Sequence, residues 1–273
     1  MNFNTKVLGL LKDGMSRNID NTASLLLDCL RLLAKWRIEL IRNTIIKHSG
    51  LNVVSGLFEG MFFIENSAEG CHVPKLLGCY EQPLEPVLKE IIESESYTSI
   101  VHIGCAEGYY AVGLARLMPN TRVFAYDVNP KAIEICRFLA EKNAVADLFE
   151  FGAEFKTSDF AKFEKENVLI FCDIEGAEVA LLNMDKAPTL SAMDLIVETH
   201  DIIKKRSLEQ LNHHFKNTHS ISKIEDDGQR HLKNLPSWFY NLAHLDQLLS
   251  VWELRSGPTP WLYMKSHRKN YPH

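Results

Sequence analysis

The chain has 273 residues, of which 46% are hydrophobic and 24% are charged, and its formal net charge is −5. This is an ordinary globular composition with enough apolar material for one large core, so we expect one large domain with an extension rather than two equal domains. A nucleic-acid-binding domain usually carries an excess of basic residues, and the acidic balance therefore argues against a nucleic-acid partner.

The cysteine pattern and the first residues bear on the compartment. The six cysteines form no Cys-x-x-Cys pair and no Cys/His spacing typical of a zinc site. The first residues lack the charged start, apolar stretch and small-residue cleavage site of a signal peptide. We therefore expect reduced thiols and a cytoplasmic location.

The first predicted element is one long amphipathic helix over residues 22–47. Its apolar residues recur at steps of three and four, at Leu26, Cys29, Leu30, Leu33, Trp36, Leu40 and Ile41. Charges recur at every turn on the other side, so the helix cannot be a transmembrane span. We expect it to pack on the main domain or on a second subunit in a homodimer, and a basic helix on a membrane surface is the alternative.

Beyond this helix the chain alternates between strand and helix patterns. Residues 50–85 are rich in glycine and aromatic side chains and predict an irregular segment, and a helix is predicted over 84–95. The predicted strands cover 99–104, 122–127, 148–153, 168–174, 194–201, 220–225 and 261–265, and the later predicted helices cover 109–118, 130–143, 176–184, 203–216 and 241–251. This alternation predicts a mainly parallel sheet with helices on both faces, and the continuous apolar runs are those of doubly buried strands.

The first predicted strand runs into a turn that contains Gly104 and Gly108. In a doubly wound sheet ligands bind outside the carboxyl ends of the strands, so this turn should face a binding crevice. Glycine lets the backbone approach a ligand, and the helix that follows points free N–H groups at a bound anionic group. The Gly-x-x-x-Gly spacing is not the Gly-x-Gly-x-x-Gly of dinucleotide binders, and a tight turn without a ligand is the alternative.

Asp127 ends the second predicted strand, 19 residues after Gly108. A carboxylate there can accept hydrogen bonds from both hydroxyls of a ribose, although an exposed acid or a helix cap would give the same pattern. The cofactor would then be a nicotinamide dinucleotide or S-adenosylmethionine. Glu107 and the bulky Tyr109 and Tyr110 suit a pyrophosphate badly, whereas acids and aromatic rings suit a sulfonium cation. The pattern therefore favours S-adenosylmethionine.

Several segments resemble a known enzyme family. VHIGCAEGYY (101–110) and YDVNP (126–130) resemble the first two motifs of class I S-adenosylmethionine-dependent methyltransferases. LIFCDIEGAEVALLN (169–183) resembles the D-[VI]-E-G-x-E signature of the FkbM-type family, and LLGCYEQPLEPVL (76–88) and LIVETH (195–200) resemble two further segments of that family. The resemblance covers about residues 76–202, and Ala106 stands where the middle glycine of the turn usually lies.

The resemblance implies a fold and a reaction. The fold is an α/β, Rossmann-like, doubly wound, seven-stranded and mainly parallel sheet with an antiparallel last strand. It would occupy a methyltransferase domain over residues 76–273, after an N-terminal helical extension or cap over residues 1–75. The reaction is transfer of a methyl group from S-adenosylmethionine to a substrate oxygen, usually a hydroxyl.

The resemblance also implies positions for the cofactor contacts. They fall on Gly104, Cys105, Ala106, Glu107, Gly108, Asp127 and Asp173. Tyr80 and Glu81 would lie near the methionine end of the cofactor. Ser158 and Asp159 would lie beside the adenine, although this pair also suits a helix N-cap.

Acids and a histidine at two predicted strand ends could carry out chemistry. Asp173 ends the fourth strand, and Glu198 and His200 face the same way because they are two residues apart on the fifth. The three could bind Mg²⁺ or Mn²⁺ and polarise a substrate oxygen. Alternatively His200 could act alone as a general base, or His200 and Glu198 could be structural. Glu175 and Glu178 fall on a first helical turn, where acids favour the helix dipole.

The leading hypothesis is therefore an S-adenosylmethionine-dependent O-methyltransferase acting on a hydroxyl-bearing small molecule. Methylation of nitrogen or carbon, another reaction of the same cofactor, and a non-catalytic cofactor-binding protein are the alternatives.

Overall fold

A seven-stranded sheet forms the centre of the computed structural model, which describes residues 3–16, 22–65, 71–201, 203, 205–255, 257 and 259–268. The strands are β1 (Ser99–Ile103), β2 (Arg122–Tyr126), β3 (Phe149–Gly152), β4 (Val168–Cys172), β5 (Asp194–Glu198), β6 (His219–Ile224) and β7 (Trp261–Ser266). Their order is β3-β2-β1-β4-β5-β7-β6. Strands β1 to β5 pair in parallel, and β7 is antiparallel to both of its neighbours. The predicted mainly parallel sheet with an antiparallel last strand is confirmed.

Helices cover both faces of the sheet. Over the described ranges they are α1 (Phe3–Ser16), α2 (Thr22–Ser49), α3 (His72–Leu77), α4 (Glu85–Ser94), α5 (Tyr109–Leu117), α6 (Pro130–Lys142), α7 (Glu178–Leu181), α8 (Ser207–Phe215), α9 (Ser237–Tyr240) and α10 (His244–Ser250). Every residue of β1, β4 and β5 is buried. In β4, Leu169 and Phe171 join the core cluster on one face, and Val168 and Ile170 join the cluster on the other. The continuous apolar runs therefore arise from two cores, as predicted.

The long predicted helix is present as α2, and its second half packs on the body of the protein. Ile38, Ile41 and Ile45 are buried in the larger core cluster, and Arg37 makes a bidentate ion pair with Asp246 of α10. Helix α1 was not predicted, because its sequence contains two glycines and has only one fully buried side chain. It forms by packing against α2. The boundary of the extension at residue 75 stays a prediction.

Three predicted helices are shorter than expected, and one of them, expected over 203–216, is α8 (Ser207–Phe215). The helix expected over 176–184 is only the four-residue α7, because the turn before it is held by the side chain of Glu178, which accepts the N–H groups of Ile174 and Gly176. The helix expected over 241–251 is α10 alone, and the short α9 precedes it. Within the described ranges, no helix has both the length and the apolar character needed to cross a bilayer.

Candidate active site

A cavity of about 640 Å³ lies at the carboxyl ends of β1, β2 and β4. The residues that line it are Ile103, Gly104, Tyr126, Asp127, Val128, Ala153, Glu154, Phe155, Lys156, Thr157, Asp173, Ile174, Glu175, Ala177, Ala180 and Leu181. We name it the first cavity. Its position is the crevice that was predicted from a doubly wound sheet and the glycine turn, because the chain changes direction between β1 and β4 at this edge.

The turn after β1 needs glycine at both ends. Gly104 has φ +79°, and a Cβ there would lie 1.7 Å from the carbonyl oxygen of Asp173. Gly108 has φ +93°, and a Cβ there would lie 2.5 Å from Sγ of Cys136. Ala106 also has a positive φ of 48°, in the region that disfavours residues with a side chain. The two glycines therefore allow close packing of the turn, and only Gly104 lines the first cavity.

Asp127 lies on the wall of the first cavity and holds the glycine turn in place. Its Oδ2 accepts the backbone N–H of Ala106 at 2.9 Å, and its Oδ1 accepts that of Asn129 at 2.8 Å. A carboxylate has about four acceptor sites. Since the side chain is only partly buried, both oxygens can accept further hydrogen bonds from a ligand in the cavity.

The side chains of Cys105 and Glu107 do not line the first cavity, contrary to the predicted cofactor contacts. Cys105 is only 2% exposed and belongs to the larger core cluster. Glu107 is fully buried and pairs with Lys75 Nζ of α3 at 2.5 Å. Glu107 therefore does not face a sulfonium from this turn. Its cationic partner is Lys75, which lies far upstream in the sequence.

Ser158 and Asp159 also lie outside the first cavity. Asp159 accepts the backbone N–H of Lys156 at 2.7 Å and pairs with Lys162 at 2.9 Å. This is the alternative role of a helix cap, in a short 3₁₀ helix over Thr157–Phe163. Phe155 and Thr157 line the cavity from this segment instead.

A second cavity of about 320 Å³ adjoins the first. It is lined by Cys71, Tyr80, Asp173, Glu175, Glu198, His200, Ile203, Glu253, Leu254, Arg255, Gly257 and Thr259. Asp173 and Glu175 line both cavities. The structure thus brings together Asp173, Glu198 and His200, as predicted, and places Tyr80 with them.

His200 is surrounded by carboxylates. Its Nδ1 lies 2.9 Å from Oε1 of Glu178, and its Nε2 lies 3.4–3.5 Å from oxygens of Asp173, Glu175 and Glu198. Although burial lowers the pKa of His200, the hydrogen bonds of Glu178 and Glu198 and the surrounding negative charge raise it to about 10. His200 is therefore a cation at neutral pH, which does not suit the predicted role of a general base.

Arg255 is the residue of this site that the sequence did not reveal. Its guanidinium group donates to Glu198 Oε1 at 2.6 Å, to Glu253 Oε2 at 3.0 Å and to Glu81. Although burial raises the pKa of Glu198, hydrogen bonding with His200 and the charge of Arg255 lower it to about 2. Burial and the charge of Glu198 raise the pKa of Glu81 to about 7. No periodic pattern marks Arg255, because it lies in the loop before β7.

Asp173 differs from the other acids of the second cavity. Like Glu175 it lines both cavities, but its side chain is 27% exposed whereas that of Glu175 is 75% exposed. Burial and the negative charges of Glu198 and Glu81 raise the pKa of Asp173 well above its usual value. It is thus the carboxylate best placed to exchange a proton with a bound molecule.

The donor set does not fit the predicted Mg²⁺ or Mn²⁺ site. Among the described residues, the side chains that could share an ion are Asp173, Glu175 and His200, whose ligand atoms lie within 4.8 Å of one another, so Glu198 is not among them. Glu198 is instead paired with Arg255. The geometry therefore does not assemble the three predicted ligands around one ion.

Comparison with known proteins agrees with this fold. Residues 94–220 match the family model described as "Methyltransferase domain". A curated relative, the release factor glutamine methyltransferase of Dictyoglomus turgidum, is 38% identical over 65 residues. That alignment covers 24% of this chain and 23% of the relative, so it spans less than a quarter of either protein.

Two solved structures are similar in outline. The O-methyltransferase TomG from Streptomyces achromogenes, involved in tomaymycin synthesis and bound to S-adenosylmethionine, has 12% identity and a TM-score of 0.49, over 68% of this chain and 79% of its own. An O-methyltransferase from Bacillus cereus bound to S-adenosylhomocysteine has 14% identity and a TM-score of 0.44, over 84% of this chain and 90% of its own. Because both identities are below 25% and both TM-scores are below 0.5, these similarities say nothing about the reaction of this chain.

Proposed function

We propose that this chain is an S-adenosylmethionine-dependent methyltransferase that methylates a hydroxyl group of a small molecule, on the premise that residues 94–220 match the family model of a methyltransferase domain. The observation that carries the proposal is the meeting of two cavities at Asp173 and Glu175. One cavity lies where the fold binds cofactors, and the other is lined by ionisable groups. A reaction between two bound molecules needs this arrangement, because positioning supplies much of the acceleration.

The first cavity fits the cofactor through its donors and walls. Asp127 would accept the ribose hydroxyls, while Phe155, Val128 and Leu181 offer apolar surface for the adenine. The acids Asp173 and Glu175 at the far side would offset a positive charge. When bound, S-adenosylmethionine supplies an electrophilic methyl group on a sulfonium.

Asp173 is the proposed proton acceptor. Asp173 would take the proton of the acceptor hydroxyl, while the bound cofactor would supply the methyl group and leave as S-adenosylhomocysteine. A carboxylate with a raised pKa is a stronger base than an ordinary aspartate, and Asp173 is such a group. His200 already carries a proton, so its role is to orient the acids around it.

Within the methyltransferases we propose that the chain is of the FkbM type. The support is the segment 173–178 and the contacts of its last acid, since Glu178 accepts the backbone N–H of Gly176 at 2.9 Å and lies 2.9 Å from His200 Nδ1. One carboxylate thus connects the turn after β4 to the histidine after β5. The FkbM-type signature has glycine and glutamate two positions apart, and this spacing agrees with the turn formed by Gly176 and Glu178.

Two experiments test the reaction. Calorimetry should show binding of S-adenosylmethionine and none of NAD; binding of NAD alone would end the proposal. Mass spectrometry after incubation with pools of hydroxyl-bearing small molecules should then show the gain of one methyl group. Transfer to an amide nitrogen is the second candidate, because the relative matched over 65 residues is a glutamine methyltransferase.

We also propose that the chain forms a homodimer through α2. The apolar stripe that packs on the core through Ile38, Ile41 and Ile45 continues at the same spacing to Leu30 and Leu27, which are 63% and 47% exposed. A twofold axis would bring this uncovered half of the stripe against the same half of a second copy. Light scattering should give twice the chain mass.

A further inference from the structure

The second cavity is surrounded by more negative than positive groups. Seven carboxylates line it or contact its lining side chains, namely Glu81, Asp173, Glu175, Glu178, Glu198, Asp226 and Glu253. In the part of the chain that the structure describes, three cationic side chains stand against them, namely His200, Arg230 and Arg255. Negative groups that lie close together repel one another, so this surplus favours the binding of a positively charged group.

The surplus of negative charge is concentrated where the first and second cavities meet. Arg255 is shared among Glu81, Glu198 and Glu253, and Arg230 is held by Asp226 and Glu253. Two further acids have His200 as their near cation, and they share it with Glu178 and Glu198.

These two acids are Asp173 and Glu175. The cation nearest to each in the described part of the chain is His200, whose Nε2 is 3.5 Å and 3.4 Å away, longer than the 2.9 Å between its Nδ1 and Glu178. The Glu175 side chain is 75% exposed, so a bound molecule can reach it. One cation at the junction, the sulfonium, leaves part of the surplus unmatched.

We propose that the acceptor is an amino alcohol, whose hydroxyl lies beside Asp173 and whose ammonium group is held by Glu175. The inference rests on the proposed function and names its substrate class. Tyr80 and Leu254 give the same cavity an apolar side for the body of the molecule. Charge-assisted hydrogen bonds are about twice as strong as neutral ones, so the ammonium group would dominate recognition.

The test compares phenols that differ only in charge. Protein saturated with S-adenosylhomocysteine is titrated by calorimetry with tyramine, 4-propylphenol or 3-(4-hydroxyphenyl)propionate, and separately with glucosamine or glucose. We expect each cationic probe to bind at least tenfold more tightly than its neutral counterpart, and the anionic phenol not to bind. Equal or tighter binding of a neutral or anionic probe overturns the proposal, and so does failure of both cationic probes to bind at about 10 mM.

A matched pair of variants identifies the residue. Glu175→Gln should abolish the preference for the cationic probes and leave 4-propylphenol unchanged. Glu209→Gln is the control, because Glu209 of α8 is 70% exposed and lies outside both cavities. An unchanged preference in Glu175→Gln overturns the assignment.

Two controls separate a failure of the proposed acceptor from a failure of cofactor binding and from metal binding. Titration with S-adenosylhomocysteine alone tests the proposed function, since failure there is independent of the acceptor. Titration with MnCl₂ alone tests whether a metal matches the surplus charge. Tight Mn²⁺ binding that Glu175→Gln removes, with no binding of tyramine, would overturn the proposal.

Discussion

Replacement of Asp127 by alanine is the sharpest test of where the cofactor binds. The carboxylate would form two charge-assisted hydrogen bonds to the ribose, and each is worth about 1.5–3 kcal/mol. At the low end the variant loses about 3 kcal/mol, which is about a hundredfold in Kd. We expect the Kd for S-adenosylmethionine to rise at least tenfold in Asp127→Ala, measured by calorimetry.

The effect on the turn must be separated from the effect on the ribose. Asp127 also accepts the N–H groups of Ala106 and Asn129, so its loss will loosen the turn. Asn129→Ala is the matched control, because it removes the cap on the N–H of Lys131 but keeps its own backbone N–H for Asp127. The control should lower stability by about 1 kcal/mol and leave the Kd unchanged.

Two outcomes would refute the reasoning. An unchanged Kd in a folded Asp127→Ala protein would mean that the ribose does not bind there. An equal rise in Kd in Asn129→Ala would mean that the turn, and not the carboxylate, decides affinity. Circular dichroism of each variant establishes that it is folded.

Three further predictions concern stability and assembly. Gly104→Ala should destabilise the protein by at least about 3 kcal/mol in urea unfolding, because its Cβ would lie 1.7 Å from a backbone oxygen. The control Gly9→Ala, whose Cβ would have no atom within 4 Å, should stabilise α1 by about 1 kcal/mol. Equal effects of the two substitutions would contradict the close packing at Gly104. The pKa of His200 rises on folding from 6.5 to about 10, so its stabilisation is complete below pH 6.5 and is lost as pH rises through 10. Between pH 7 and 10 the unfolding free energy of the wild type should therefore fall more than that of His200→Gln, by up to about 1.4 kcal/mol per pH unit; parallel curves would contradict the raised pKa. Leu30→Glu should convert the dimer to a monomer in light scattering, while Leu117→Glu on α5 should not; a dimer in both would place the interface elsewhere.

The sheet and its glycine turn were predictable because their signals are local. Strands β1, β4 and β5 are continuous apolar runs, and burial on both faces is what makes such runs necessary. Gly104 and Asp127 follow strand ends, so their place on the crevice follows from chain order. Neighbouring parallel strands end at one edge, and Asp173 and His200 were therefore expected to meet.

The ionisation of the site depended on residues that are distant in sequence. Arg255 lies 57 positions after Glu198 and reaches it only because β7 returns beside β5. Lys75 is likewise distant in sequence from Glu107, and the two form a buried ion pair outside the first cavity. The sequence by itself thus determined the strands, the turn and the acids at the strand ends, since period and chain order encode these. Only the tertiary structure decided which acid is paired and which histidine is charged, because Coulomb energies depend on distances and burial that chain order does not specify.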